Sequence, residues 1–179
     1  AYAVNSEGAA NVARICSMKN IGLVHIGTDY IFDGRKGSAY TEEDAPNPLN
    51  VYGASKLSGE ELVREAGGRS LVVRTQSLFG ARGSNFVRAI LQRLRKSDEP
   101  LRVVSDQFTS PTYTRHLAAA IVRLLQLGRF GTVNVVASGH CSWFEFAREI
   151  AARVKPGAVV NPVGVKEYPL PATRPLVST

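Results

Sequence analysis

The chain has 179 residues, of which 44% are hydrophobic and 21% charged, with a formal net charge of +7. That length can bury a sizeable core, and that balance is ordinary for a globular protein. No apolar run approaches the roughly 18 residues of a membrane span, the opening "AYAVNSEGAANVARICSMKN" has no signal-peptide pattern, and the basic residues lack the aromatic interleaving of a nucleic-acid binder.

In chain order, Val4, Ala9, Val12, Ala13 and Cys16 recur at helical spacing and predict a helix over 4–18. "IGLVHIG" (21–27) is an apolar, β-branched run suited to a strand covered on both faces. A polar stretch with Gly34, Gly37, Pro46 and Pro48 predicts a long loop. A helix over 51–66 should stop at Gly67-Gly68, and "SLVVRTQ" (70–76) should form a second buried strand. Helix 85–96, strand 101–104, helix 114–127, strand 132–137 and helix 142–154 follow, and the last 25 residues, rich in proline, read as mostly loop. The two cysteines, Cys16 and Cys141, each fall in a predicted helix and fit no metal spacing, so no metal site is expected and a reducing cytoplasm is the default.

Alternating strands and helices predict an α/β fold with a mainly parallel sheet flanked by helices, over 1–179 as a single unit. In such sheets ligands sit beyond the carboxyl ends of the strands. Thr28, Asp29 and Tyr30 follow the first strand, Gln76 and Ser77 the second, and Asp106 and Gln107 the third. One polar rim is therefore expected to hold the site.

Tyr52 and Lys56 lie four positions apart, on one face of a helix. A free phenol holds its proton to about pH 10, and an ammonium one turn away favours the phenolate. Such a phenol can act as general acid toward a carbonyl oxygen, and a second hydroxyl aimed at that oxygen would steady its charge. Thr28, at a strand end, is the candidate. The plainer alternative is a packed tyrosine beside a solvated lysine, since Y-x-x-x-K is common by chance.

The surrounding segments add weight. "GTDYIFDG" (27–34), "PLNVYGASKLSGEE" (48–61), "RTQSLFG" (74–80), "SNFV" (84–87), "SDQFTSPTYT" (105–114) and "RPLVS" (174–178) occur in one order over nearly the whole chain. Together they resemble the extended short-chain dehydrogenase/reductase superfamily, and within it the dTDP-4-dehydrorhamnose reductase branch. The resemblance implies a Rossmann-like sheet and reduction of the 4-keto group of a nucleotide-linked 6-deoxy sugar by NADPH or NADH. It implies catalysis by Thr28, Tyr52 and Lys56, and cofactor contacts at Tyr52, Lys56, Thr75 and Gln76. It implies substrate contacts at Thr28, Tyr30, Ser77, Asn85, Gln107 and Arg174, within sugar-binding stretches 77–112 and 138–179. The expected partner is a nucleotide sugar, with no nucleic acid and no membrane, and a homodimer is compatible with the family.

Some features depart from that pattern. The Gly-rich turn that cradles the cofactor pyrophosphate is not in this sequence, so the Rossmann-like part is expected to be incomplete at its N-terminal half, with an exposed sheet edge. The 179 residues alone are expected to bind NADPH weakly. Ser77 stands where the branch often has tryptophan, and Thr109 where glycine is common in D-Q-x-G-x-P-T. Asn85 also fits a helix N-cap. Arg74 and Arg174 suit diphosphate oxygens, although a surface role is the default for arginines in a basic chain. His25, His116 and His140 form no triad or metal cluster, and Glu42, Glu43 and Asp44 read as a solvated acidic patch. A non-catalytic relative that binds a partner protein, or an inert fragment, stands as the alternative.

Overall fold

The computed structural model describes residues 1–168 and 171–178. Residues 169, 170 and 179 of the expected sugar-binding stretch lie outside the described residues. A π-helical turn, Ala3–Gly8, runs into α1 (Ala9–Met18). Strand β1 (Leu23–Ile26), helix α2 (Val51–Glu65), strand β2 (Ser70–Arg74) and the short β3 (Leu78–Phe79) follow. Next come α3 (Phe86–Lys96), β4 (Leu101–Val104), β5 (Phe108–Thr109), β6 (Thr112–Tyr113) and α4 (Thr114–Gln126). The chain continues through β7 (Gly131–Asn134), β8 (Cys141–Ser142), α5 (Trp143–Val154) and β9 (Val160–Val163).

The principal sheet is parallel, in the order β1–β2–β7. Its middle strand is buried on both faces: Leu71, Val72 and Val73 expose no surface. Val72 packs with Ala13 of α1 and Val63 of α2, whereas Leu71 and Val73 pack with Leu117 of α4. The alternation of side chains along β2 thus sends successive residues to helices on opposite faces. Strand β1 pairs only with β2 among the described residues, and Ile26 at its end is 38% exposed. The second face expected for this strand is therefore only partly covered.

A second core lies beyond this sheet. Strands β4 and β9 pair in parallel, and Ile90 and Leu94 of α3 meet Leu101, Val103, Ala147 and Ile150 there. One expectation is corrected by this arrangement and one is extended. The strand at 101–104 is not the third strand of the principal sheet, and the proline-rich end, mostly loop as expected over its described residues, also supplies β9 and a 3-10 turn at Val165–Glu167. Cys141 sits in β8, not in a helix. The β3–β6 and β5–β8 pairs stitch the two parts together.

Local signals set the helix bearing Tyr52 and Lys56. Asn50 caps α2, its Oδ1 accepting the Gly53 N–H at 2.8 Å. Gly67 and Gly68 take φ of +69° and +79° and end it, as the sequence predicts. Gly53 lets α2 approach the Tyr30 carbonyl, which a β-carbon there would overlap. That close approach brings the helix bearing Tyr52 and Lys56 onto the loop that follows β1.

Candidate active site

Thr28 follows β1 and is 5% exposed. Its Oγ1 accepts the Tyr30 N–H at 3.3 Å and caps the 3-10 turn Asp29–Ile31. That turn carries Tyr30 to α2, where its ring meets the Tyr52 ring edge-on, with centroids 5.7 Å apart. Tyr52 is 47% exposed, so its phenol is open to a ligand. One turn further along α2, Lys56 Nζ donates to the Ile26 carbonyl at 2.5 Å. Burial lowers the Lys56 pKa, and the Glu60 carboxylate opposes that shift. Thr28, Tyr30, Tyr52 and Lys56 therefore gather at the carboxyl end of β1, the position expected for an α/β site.

The residues after β2 are buried and largely committed to the fold. The Thr75 carbonyl accepts the Asp29 N–H at 3.2 Å. The Thr75 hydroxyl is buried with no partner among the described residues. Gln76 Oε1 accepts the Thr109 hydroxyl at 2.6 Å and the Ser110 N–H at 3.1 Å. Ser77 adopts φ +46° and its hydroxyl meets that of Thr109. These bonds bring the loop containing Gln107 to the end of β2, although β4 belongs to another sheet.

Gln107, 3% exposed, faces a cavity of about 280 Å³. Phe86 and Trp143 give it an aromatic wall, with ring centroids 4.6 Å apart, and Arg93, Arg102 and Arg174 give it positive charge. Gln107 Nε2 is buried without a partner among the described residues. Arg174 joins this cavity to the cluster at the end of β1, because its guanidinium also lies beside the Tyr30 phenol. Burial raises the Tyr30 pKa, and Arg174 opposes the rise.

Two candidates have partners within the fold. Asn85 caps α3, with Oδ1 accepting the Arg88 N–H at 3.1 Å and Nδ2 donating to the Gly80 carbonyl at 2.9 Å. Both ends of its amide are thus engaged, and it does not line the Trp143 cavity. Arg74 does not reach the surface. It is 4% exposed and ion-pairs at 3.0 Å with Glu60, which exposes no surface. Sequence patterns do not single out Asn50, Glu60, Arg93, Arg102 or Trp143. Local signals for two of them are present: Asn50 precedes a helical pattern, and Ser142 with Glu145 forms a capping box around Trp143. Among the described residues no group of His, Cys, Asp and Glu could hold a metal, and no helix is long and apolar enough to cross a membrane.

The chain as a whole has close counterparts. The family described as RmlD substrate binding domain matches residues 1–179. The chain belongs to this family. A dTDP-4-dehydrorhamnose reductase from Burkholderia thailandensis is 41% identical, over 98% of this chain and 64% of that protein. The spore coat polysaccharide biosynthesis protein SpsK from Bacillus subtilis is 40% identical, over 99% of this chain and 62% of that protein. The crystal structure of dTDP-4-dehydrorhamnose reductase from Bacillus anthracis in complex with NADP superposes with a TM-score of 0.96 at 40% identity, covering 99% of this chain and 63% of that one. The RmlD-family chain thus spans less than two thirds of the length of these relatives. The fold expectation of a mainly parallel α/β sheet flanked by helices matches that reductase structure.

Proposed function

We propose that the full-length protein reduces the 4-keto group of a nucleotide-linked 6-deoxy sugar, dTDP-4-dehydrorhamnose to dTDP-L-rhamnose, using NADPH. This chain, read as one α/β unit, would supply the catalytic side chains and the sugar-nucleotide pocket. The observation that carries the reading is the convergence of Thr28, Tyr52 and Lys56 at the end of β1, joined through Tyr30 and Arg174 to an arginine-lined aromatic cavity. The relatives named above as dTDP-4-dehydrorhamnose reductases support the same substrate.

The roles follow from chemistry. Tyr52 donates its phenolic proton to the keto oxygen as that oxygen gains negative charge. Thr28 offers a second hydroxyl to the same oxygen and so lowers the cost of the developing charge. The Lys56 ammonium favours the phenolate left after proton transfer. The residues present fit a nicotinamide cofactor. Lys56 and Tyr52 stand at the open carboxyl end of β1, and the buried Thr75 hydroxyl and Gln76 lie at the adjacent strand end. Lys56 and Tyr52 would hold the nicotinamide ribose. When bound, the reduced cofactor supplies the hydride, which no side chain can supply. The Trp143 and Phe86 wall suits a base, and Arg93, Arg102 and Arg174 suit diphosphate oxygens, to which a guanidinium can bond in pairs. Gln107 Nε2 adds an unspent donor to that cavity.

The test is turnover by the full-length protein of dTDP-4-dehydrorhamnose with NADPH, with the product identified by NMR. Stoichiometric NADPH oxidation with formation of the 4-hydroxy product, dTDP-L-rhamnose, is expected. No reduction of this ketone, with the protein folded, would overturn the reading.

A further inference from the structure

Residues 173–178 run past the residues that flank Thr28 and Tyr52 and bond to Asn50, Phe108 and Asp29. The Thr173 carbonyl accepts Asn50 Nδ2 at 2.8 Å, and Asn50 caps the helix carrying Tyr52. The Leu176 carbonyl accepts the Phe108 N–H at 2.7 Å, and Val177 forms a bridge with Phe108. Ser178 Oγ donates to Asp29 Oδ2 at 2.6 Å, across 149 positions of sequence. The other oxygen of that carboxyl, Oδ1, lies 3.2 Å from Thr28 Oγ1 and takes its proton.

A threonine hydroxyl has one proton and two lone pairs. In Thr28 one lone pair accepts the Tyr30 N–H, and the proton points at Asp29. An ionised carboxylate only accepts, so it competes with a substrate oxygen for that proton. A protonated carboxyl can instead donate to the remaining lone pair of Thr28 and free the Thr28 proton for the substrate. We propose that Asp29 is a positioning residue that sets the direction of the Thr28 hydroxyl proton, and that Ser178 of the C-terminal strap biases this setting by holding the second carboxyl oxygen. The proposal rests on the reductase reading, in which Thr28 serves the keto oxygen.

The surroundings of Asp29 favour such a switch. Burial raises its pKa from 3.8 to about 6, against the opposing hydrogen bonds from Ser178 and Thr28. The groups around it are Thr28 and Tyr30 on its own turn, Arg74 at the end of β2 with Thr75 and Gln76 just after it, Asn134 from β7, Tyr40 from the loop and Ser178 from the strap. Arg74 is the full charge among them, and it is tied to Glu60. Tyr40 donates its hydroxyl to Asp33 at 2.8 Å.

The experiment is the pH profile of kcat, from pH 5 to 9, for the full-length protein reducing dTDP-4-dehydrorhamnose with NADPH, in wild-type, Ser178→Ala and Asp29→Asn forms. A melting curve for each form reports folding. The wild type should show a step near pH 6, about tenfold higher on the acid side, the worth of one charge-assisted hydrogen bond. Ser178→Ala removes a donor that favours the carboxylate, so the step should move to higher pH. Asp29→Asn presents its amide N–H to Thr28 at every pH, so the step should vanish. A step that persists in Asp29→Asn, or stays in place in folded Ser178→Ala, would overturn the proposal. Active wild-type enzyme with a flat profile through pH 6 would overturn it while leaving the reductase reading intact. Absence of reduction would overturn both.

Discussion

The hydroxyls of Ser77 and Thr109 hydrogen-bond to each other. These are two of the positions at which the sequence departs from the reductase resemblance, serine where tryptophan is frequent and threonine where glycine is common. Thr109 spends its proton on Gln76 Oε1 at 2.6 Å, so the proton between the two hydroxyls comes from Ser77. The departures are therefore one coupled feature that ties the β2 end to the loop after β4.

That coupling is measurable. Thr109→Val keeps the shape but removes the donor to buried Gln76, and should cost about 1–3 kcal/mol in urea unfolding. Ser77→Ala should cost less, since Thr109 keeps its bond to Gln76. The double variant should show a coupling energy of at least ~0.5 kcal/mol. Strict additivity would mean that the two hydroxyls do not interact.

The Glu60–Arg74 pair predicts a second, larger effect. Both partners are buried, at 0% and 4% exposure, and Glu60→Ala leaves the arginine charge without its carboxylate. Loss of about 3–5 kcal/mol in chemical unfolding is expected. Gly27→Ala should destabilise too, by about 1–3 kcal/mol, because its new β-carbon would overlap Glu60 Oε1. A Glu60→Ala protein as stable as wild type would show that the pair contributes nothing net.

His25 predicts a pH effect on stability. Its Nε2 is buried without a partner among the described residues, and burial, aided by the Lys56 ammonium, lowers its pKa from 6.5 to about 4. The unfolded chain therefore binds more protons than the fold between those values. The stability His25 contributes is complete above pH 6.5 and is lost as pH falls through about 4. Asp29 has the opposite sign: its contribution is complete below pH 3.8 and lost as pH rises through about 6. The two partly cancel in the wild type, so the comparison must be with a variant. Between pH 7 and pH 4, His25→Gln should lose less melting temperature than wild type. An equal or greater loss would contradict the assignment.

Much of the site is legible in the sequence because its parts are local. Tyr52 and Lys56 sit four positions apart on one capped helix, and Thr28 and Gln76 end apolar runs that read as strands. The rest depends on contacts between distant segments. Strand β9 carries Pro162 within a proline-rich end, a composition that argues against a central strand, and it is paired here only with β4 among the described residues. Arg74 resembles any arginine at a strand end until Glu60 is found beneath it. The Ser178–Asp29 bond joins residues 149 positions apart, and no periodicity reports such a pair.

The central claim is that Tyr52 delivers the proton to a sugar ketone. Tyr52→Phe removes only the hydroxyl from a half-exposed ring, so the fold should keep its melting temperature. In the full-length protein, NADPH oxidation with dTDP-4-dehydrorhamnose should slow by about 10²–10⁴-fold, the usual worth of a positioned general acid. Turnover close to wild type in a folded Tyr52→Phe protein would contradict the account and return Tyr52 to the role of a surface ring packed against Tyr30.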